Sequence, residues 1–235
     1  MQKSLRAILL LGACLALTGF GAGPALAWFG VLAPEAGFGV FALSCILGVL
    51  VTLGVAAAAM KYGPAGWLPM LFLVAIPTVY LLYSIAVTRD YPLINDISTE
   101  RIYPPQFVYA AELPENAAQD LKFPPAFKEI IDEHYPDIRP LAMIEDADAV
   151  FARAMDLAKQ REGWTVTGTT LKGDVSSFEV VAVSKIFRFH DDVIIRVTKV
   201  ESGCIVDVRS RSRVGKGDLG ANAARIRAFL EALNS

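Results

Sequence analysis

The sequence predicts an α+β protein in which three transmembrane α-helices precede an α-β-β-β-β-α two-layer sandwich with an antiparallel sheet. Two observations lead to this fold class. The first 88 of the 235 residues carry almost no charge, and 54% of all residues are hydrophobic. The last third of the chain has four stretches rich in β-branched residues between two amphipathic helical patterns, which is typical of a sheet packed against helices. This distribution excludes a fully soluble protein, a disordered protein and a disulfide-rich secreted protein.

Residues 1–88 are predicted to be a membrane region with three transmembrane helices. Only two charged residues, Glu35 and Lys61, lie between Arg6 and Arg89. Both are in short segments with Gly and Pro, which separate apolar stretches of about 20 residues or more, the length that a helix needs to cross a hydrocarbon core of about 30 Å. The three stretches are Ala7–Trp28, Phe38–Met60 and Trp67–Val87.

Basic residues predict the orientation of these helices. Lys3 and Arg6 precede the first span and Lys61 follows the second, whereas no Lys or Arg lies between the first two spans. Cytoplasmic loops carry the excess of Lys and Arg. We therefore expect the N-terminus inside and the polar part of the chain, residues 89–235, outside.

The first span has three interpretations. The favoured one is a retained helix, in which Gly19 and Gly23 form a small-xxx-small pair that packs against another helix. The second is a signal peptide cleaved after Ala25-Leu26-Ala27. The third is a lipoprotein signal, because Leu11-Gly12-Ala13-Cys14 is similar to a lipobox. Removal of the span would still leave residues 89–235 outside.

Residues 89–147 form an acidic, Pro-rich segment. Residues 89–150 have a net charge of −8, and residues 151–235 have a net charge of +4. Prolines recur through the first segment at positions 92, 104, 105, 114, 124, 125, 136 and 140. Because Pro interrupts helices and sheets, we expect extended or short helical structure here. The opposite charges favour packing of the segment on the module that follows.

Residues 148–235 are predicted to be the α+β module. One helix covers about 150–162 with Asp148 as its N-cap, and the last helix begins near Asp218, another N-cap candidate. His190-Asp191-Asp192 is placed in a turn. The four strands between the helices are Trp164–Thr170, Phe178–Ile186, Val193–Val200 and Cys204–Ser210. Both helices are expected on one face of the antiparallel sheet.

Alternation along the last two strands divides their side chains between the two faces of the sheet. One face is apolar. The other face receives Arg196 from one strand, and Asp207, Arg209 and Arg211 from the next. We call Arg209, Arg211 and Arg213 the arginine stripe, which Lys216 extends toward the last helix.

The C-terminal motif resembles that of a known family. It reads V-D-V-R-S-R-S-R-V-G at 206–215, D-L-G at 218–220 and N-A-A-R-I-R at 222–227, with shorter matches at 94–99 and 187–192. These residues resemble DUF1499, a family of uncharacterised bacterial proteins, over about 90–235. The resemblance implies a cell-envelope context with membrane spans ahead of the domain, and it supplies no catalytic residue. The chain departs from the family's typical W-F-G-F at Ile186 and Arg188.

The arginine stripe gives the main site hypothesis. Guanidinium groups bind phosphate or carboxylate in bidentate geometry, and a helix N-terminus after a Gly-rich turn offers free N–H groups to an anion. The alternative is internal pairing, with Arg196 and Asp207 as a structural ion pair across neighbouring strands and the acidic segment over the basic face. The candidate anion-binding residues are Arg209, Arg211, Arg213, Lys216 and Gly217.

Other residues are weaker site candidates. His190-Asp191-Asp192 has metal-binding and acid–base chemistry, but a turn with a polar tip explains it more simply. The serines between the arginines of the stripe have no neighbouring base that would make either a nucleophile. Cys14, Cys45 and Cys204 form no CxxC or Cys/His pattern. We therefore expect neither a metal site nor a cofactor.

Together these features predict a non-enzymatic protein of the bacterial inner membrane with a periplasmic C-terminal domain. Its expected partners are the lipid bilayer and an anionic lipid head group or cell-wall polymer bound at the arginine stripe. The alternative is a scaffold or assembly subunit that contacts another membrane protein. An envelope hydrolase is disfavoured because no catalytic motif is present, and the location and net charge disfavour nucleic acid as a partner.

Overall fold

The computed structural model describes residues 2–235, which separate into two compact units. The first contains the chain up to Asp90 together with the loop Lys185–Arg188. The second contains Tyr91–Ser184 and Phe189–Ser235.

Three long helices make up most of the first unit. Each is long and apolar enough to cross a membrane, so the three predicted spans are confirmed by length and composition. The first two helices extend a few residues beyond the apolar stretches that predicted them, and the third is shifted by one residue. The helices are α1 (Gln2–Trp28), α2 (Pro34–Tyr62) and α3 (Leu68–Thr88).

Helices α1 and α2 pack through small residues. A Cβ atom added to Gly23 would lie 2.5 Å from the carbonyl oxygen of Gly37, and one added to Gly19 would lie 2.1 Å from Oγ of Ser44. Ala27 is buried at the same seam. Because lipid is as apolar as the side chains, close backbone packing of this kind drives association in a membrane. The predicted packing of α1 through Gly19 and Gly23 is confirmed.

Helix α3 contacts α2 through a proline and a polar pair. The ring of Pro77, inside α3, would lie 3.0 Å from a Cβ atom on Gly48. The hydroxyl groups of Thr52 and Thr78 are 3.0 Å apart and form a hydrogen bond between the helices. Such a bond fixes the register of two helices where water is not available as an alternative partner.

A six-stranded antiparallel sheet forms the centre of the second unit. The long strands are β3 (Trp164–Lys172), β4 (Val175–Val183), β5 (His190–Val200) and β6 (Gly203–Ser212), and the short ones are β1 (Asp96–Ser98) and β2 (Leu141–Met143). The strand order is β1-β6-β5-β4-β3, and β2 also pairs with β6. The predicted α+β class with an antiparallel sheet is confirmed, although β1 and β2 were not predicted.

The helices of the second unit differ in length and position. Two long helices, α6 (Ala147–Gln160) and α7 (Ala221–Leu233), pack on one face of the sheet. Their apolar side chains share a core with those of β5 and β6, and the buried helix residues include Ala154, Ala158, Ile226 and Phe229. Burial of each large apolar side chain contributes about 1.5–3 kcal/mol. The elements are α4 (Tyr109–Glu112), a 3₁₀ turn (Pro114–Asn116), α5 (Phe127–His134), α6 (Ala147–Gln160) and α7 (Ala221–Leu233).

Three details of the predicted elements are wrong. Asp146, not Asp148, caps α6, because its carboxylate accepts hydrogen bonds from the backbone N–H groups of Asp148 and Ala149. His190-Asp191-Asp192 begins β5 and is not a turn. Strand β4 ends at Val183, because the next residues form the loop between β4 and β5.

Asp218 and Gly220 set the start of α7. The carboxylate of Asp218 accepts hydrogen bonds from the backbone N–H groups of Gly220 and Asn222. Gly220 has a φ of 81°, a left-handed conformation that glycine adopts without strain. Asp218 therefore supplies the capping carboxylate that the sequence predicted, while α7 itself begins at Ala221.

Candidate functional site

The arginine stripe lies on the face of the sheet opposite α6 and α7. Side chains alternate along β6, so Val206 and Val208 enter the core with the helices while Asp207, Arg209 and Arg211 point the other way. Residues 99–123, which we call the covering segment, lie on this second face. Contacts from several side chains of the sheet hold the covering segment there.

Arg209 makes the most contacts of the stripe. Its Nε and Nη2 donate to the two carboxylate oxygens of Asp96 at 3.0 and 2.7 Å. Its Nη1 also donates to the carbonyl of Pro105 at 2.9 Å, and Nη2 to that of Leu121 at 2.7 Å. The side chain has no exposed surface, and Asp96 is 1% exposed. Arg209 thus connects β1, β6 and both ends of the covering segment.

Two aromatic rings enclose the same guanidinium. Cζ of Arg209 lies 4.7 Å from the ring centroid of Phe107 and 5.4 Å from that of Phe123. Both rings belong to the covering segment and are buried. A desolvated cation over an aromatic face is stabilised by about 2 kcal/mol. This environment is complete without an external ligand.

Arg213 also has a carboxylate partner in the protein. Its Nε and Nη2 donate to Oδ1 of Asp192 at 3.0 and 2.6 Å. The other oxygen of Asp192 accepts a hydrogen bond from the amide of Asn116 at 2.8 Å, and Asn116 belongs to the covering segment. Asp192 therefore joins β5, the end of the stripe and the covering segment.

The predicted ion pair of Arg196 with Asp207 is present. The two residues are directly opposite each other in the β5–β6 register, and Nη2 of Arg196 lies 2.7 Å from Oδ2 of Asp207. The hydroxyl of Thr99 donates to the other oxygen of Asp207 at 3.4 Å. The pair thus contributes to the start of the covering segment.

The remaining candidate residues do not converge on these pairs. Arg211 is half-buried, and its Nη2 donates to Oε1 of Gln119 at 2.6 Å, whereas its Nη1 has no hydrogen-bond partner among the described residues. Lys216 is exposed in the turn before α7. Gly217, in the same turn, lies against Leu93. Among the described residues, Arg211 is thus the member of the stripe with a buried guanidinium nitrogen that has no hydrogen-bond partner.

Glu179 is a functional residue of the covered face that the sequence did not reveal. This carboxylate is 3% exposed and accepts three hydrogen bonds, from the backbone N–H groups of Val108, Tyr109 and Ala110, at 2.6–3.1 Å. Burial raises the pKa of Glu179, and the three N–H donors oppose that shift. In the sequence, Glu179 is the single charged residue in the otherwise apolar run Phe178–Val181, and this pattern could have indicated a buried carboxylate.

The ring of Tyr109 completes this anchor. A Cβ atom added to Gly168 of β3 would lie 2.3 Å from the ring, and the hydroxyl of Tyr109 donates to the carbonyl of Thr169 at 2.7 Å. Glycine at this position lets the covering segment approach the strand.

A second polar cluster lies on the helix side of the sheet. Asp191 accepts from Arg225 of α7, and Asn222 accepts from the hydroxyl of Ser210 and donates to that of Ser212. Burial raises the pKa of Asp191, and Arg225 opposes the shift. These contacts attach the start of α7 to β5 and β6.

The C-terminal motif therefore specifies both sets of contacts, since its arginines, serines, Asp218 and Asn222 all have structural partners. The model of a family of proteins of unknown function, DUF1499, matches residues 97–233, which is more than half of the chain. The chain belongs to the DUF1499 family. No curated protein and no solved structure matches the chain.

The DUF1499 match begins within β1 and includes the whole covering segment. Conversely, the helices α1–α3 lie outside it. The family model therefore spans the segment, the sheet that the segment covers and both long helices of the second unit.

The tripeptide His190-Asp191-Asp192 does not form a cluster of metal-binding side chains. No group of three His, Cys, Asp or Glu residues within 2–235 is arranged to hold a metal ion. His190 is exposed at the start of β5, while Asp191 and Asp192 point to opposite faces and pair with arginines. The three candidate residues of this tripeptide are thus not brought together.

Proposed function

We propose that this protein is a non-enzymatic scaffold or assembly subunit of the bacterial inner membrane, with its DUF1499 domain on the periplasmic side. The observation that carries the proposal is the internal pairing of the arginine stripe. Arg209 and Arg213 are neutralised by buried carboxylates, and so is the neighbouring Arg196, whose own side chain is partly exposed. Because its charges are already paired, this face of the sheet holds the covering segment in place. We infer that the outer surface of the resulting domain contacts a partner protein.

The location rests on the charge distribution and on the family. Lys3, Arg6 and Lys61 lie at the ends of helices that we assign to the cytoplasmic side. With an odd number of spans and a cytoplasmic N-terminus, we expect the chain after α3 on the other side. The resemblance to bacterial envelope proteins supports the periplasm as that compartment.

The non-enzymatic character rests on the partners of the nucleophilic side chains. Ser210 and Ser212 are both hydrogen-bonded to the side-chain amide of Asn222, which is not a base. A serine nucleophile requires a general base within hydrogen-bond reach. Cys204 is buried in the core, and burial raises the pKa of its thiol, which disfavours the reactive thiolate.

A second candidate function is the binding of an anionic lipid head group or glycan at Arg211. This guanidinium is half-buried, and it has one nitrogen without a partner among residues 2–235. Burial lowers the pKa of Arg211, and Asp96 and Asp192 oppose the shift by their negative charge. This nitrogen is itself buried, so a phosphate or carboxylate group would supply the missing acceptor only after the side chains over it move. Lys216, exposed nearby in sequence, adds a second cation.

Native mass spectrometry of the full-length protein in nanodiscs drawn from its own membrane distinguishes the two functions. The matched variant is Arg211→Gln with Lys216→Gln, because it leaves the pairs of Arg209 and Arg213 intact. A scaffold gives the same stoichiometric protein partner on wild type and variant, with no difference in bound small molecules. A lipid or glycan retained by the wild type and lost from the variant would overturn the scaffold and establish the anion site.

A further inference from the structure

The loop Lys185–Arg188 belongs to the unit of the membrane-spanning helices. The ring of Phe187 makes edge contacts with the rings of Phe38 and Phe41 on α2, at centroid distances of 5.3 and 5.4 Å. Phe41 in turn contacts Tyr80 of α3 at 5.2 Å. The loop therefore takes part in an aromatic cluster with two helices that cross the membrane.

The position of the contact along α2 gives its depth. Helix α2 has 29 residues, which corresponds to about 43 Å at about 1.5 Å per residue. The hydrocarbon core is about 30 Å thick, so about 6 Å of the helix extends into the head-group region at each end. Phe38 is four residues, or about 6 Å, from the first residue of α2. The Phe187 ring thus lies at the boundary between head groups and acyl chains.

The loop presents apolar and basic side chains together. Ile186 is 61% exposed although it is apolar, and it is flanked by the exposed Lys185 on one side and Phe187 and Arg188 on the other. Apolar residues with neighbouring Lys and Arg are the usual composition of segments that enter a membrane interface.

The backbone holds the loop in one conformation. The N–H of Ser184 donates to the carbonyl of Phe189, and the N–H of Phe189 donates to the hydroxyl of Ser184, both at 2.8 Å. Arg188 has a φ of 63°, in the left-handed region that a residue with a Cβ atom adopts only where its surroundings require it. A preformed loop orders fewer residues when it binds, so insertion costs less entropy.

We propose that this loop is a membrane-interface anchor whose partner is the outer leaflet of the bilayer. Ile186 and Phe187 enter the top of the acyl region, and Lys185 and Arg188 contact lipid phosphates. The choice of leaflet rests on the periplasmic location proposed above, whereas the anchor itself does not depend on the scaffold function, because it concerns lipid rather than a protein partner. The anchor also accounts for the exposure of Ile186.

Fluorescence quenching in nanodiscs of phosphatidylcholine tests the proposal with the full-length protein. Cys14, the one native cysteine that is exposed, is replaced by Ala, since Cys45 and Cys204 are buried. An environment-sensitive dye is then attached to Ile186→Cys. The matched control is Leu171→Cys, another exposed apolar residue (71%) near the end of β3. Both substitutions are at exposed positions, so neither is expected to unfold the protein.

The dye at position 186 is expected to emit at shorter wavelength than the dye at 171. Lipids with a doxyl group near the top of the acyl chain should quench it, and aqueous iodide should not. Adding Phe187→Ala should shift the emission of the 186 dye to longer wavelength and make iodide, rather than doxyl lipid, its quencher. The emission and quenching of the 171 dye should not change. Quenching of the 186 dye by iodide to the same degree as the 171 dye, with no effect of doxyl lipid, would overturn the proposal.

Discussion

Replacement of Arg209 by Met provides the most direct test of the paired arginine stripe. The substitution keeps a side chain of similar length and removes the cation, so Asp96 stays buried without its partner. Removal of one partner of a buried pair costs about 3–5 kcal/mol. The carbonyls of Pro105 and Leu121 lose their donors as well. Since total stability is about 5–15 kcal/mol, the loss is a large part of it.

Hydrogen–deuterium exchange on the full-length protein in detergent measures this loss where it is expected. A loss of about 3 kcal/mol corresponds to a rise of more than about 100-fold in the opening equilibrium. The rise should appear in residues 99–123, which Arg209 holds, and in β1. Replacing both partners, as Asp96→Leu with Arg209→Met, should restore part of the protection, because no buried charge is then left unpaired.

Two other arginines provide graded controls. Arg196→Met should cause a smaller loss, since its pair with Asp207 is partly exposed. Arg153→Met should have little effect, because both Arg153 and Glu145 are exposed to solvent, which screens the pair. If Arg209→Met left exchange in the covering segment unchanged, the assignment of the stripe to structure would be refuted.

Three further predictions follow from single residues. Gly23→Leu should weaken the packing of α1 on α2 and lower the melting temperature of the protein in detergent. Gly21→Leu should leave the melting temperature unchanged, because the space around the Cβ position of Gly21 is open. Gly168→Ala should displace the ring of Tyr109 and increase proteolysis of the covering segment, while the same substitution in a chain that already carries Tyr109→Ala should add no further cleavage. Burial raises the pKa of Tyr135 to about 12. The folded state therefore favours the neutral phenol. As a result, the free energy of unfolding is constant below the ordinary tyrosine pKa of about 10 and falls as the pH rises above it. An ultraviolet titration should show a late ionisation that Tyr135→Phe removes, and a variant that retains it would contradict the assignment.

The same packing of α1 makes the N-terminus a further test. Ala27 is buried against Gly37, within the helix that a signal-peptide cleavage would have to unwind. We therefore expect α1 to be retained. The intact mass of the purified protein should include residues 1–27, and a mass that begins at Trp28 would show that the helix is removed.

The elements that could be predicted are those whose pattern is local and long. The three spans are defined by runs of apolar residues, and β3 to β6 by nine or more residues of alternating pattern. Strands β1 and β2 have only three residues each. Their place in the sheet is fixed by pairing with β6 from more than 60 residues away, which no local period encodes.

The arginine stripe shows a different limit. Alternation in β6 assigned Arg209 to the correct face, but it does not reveal what covers that face. The partner, Asp96, is 113 residues away in sequence. The net charges of −8 and +4 indicated that an acidic segment and a basic face attract each other, yet charge balance does not select particular partners.

Arg188 illustrates how a departure from the family pattern can be understood after the fold is known. The typical family sequence has glycine at this position, and the residue has a φ of 63°. Glycine adopts that conformation freely, whereas arginine is strained there. The φ of Arg188 thus fits the glycine of the pattern that the loop resembles, and arginine at this position adds a cation, which suits an anchor that contacts phosphate.

Burial of so many charges needs an explanation, since apolar residues would cover the sheet at less cost in desolvation. The covered face carries three ion pairs (Arg196–Asp207, Arg209–Asp96, Arg213–Asp192). It also carries Arg211, which donates to Gln119, and Glu179, which accepts from backbone N–H groups. The covering segment is short of regular structure, so backbone pairing alone cannot fix where it lies. The arginines donate to particular carbonyl groups of the segment, and the carboxylates accept from particular N–H and amide groups of it. A shift by one residue would leave several buried charges unpaired, at a cost of several kcal/mol. The network therefore contributes positional specificity rather than net stability, and it gives an irregular Pro-rich segment a single place on the sheet.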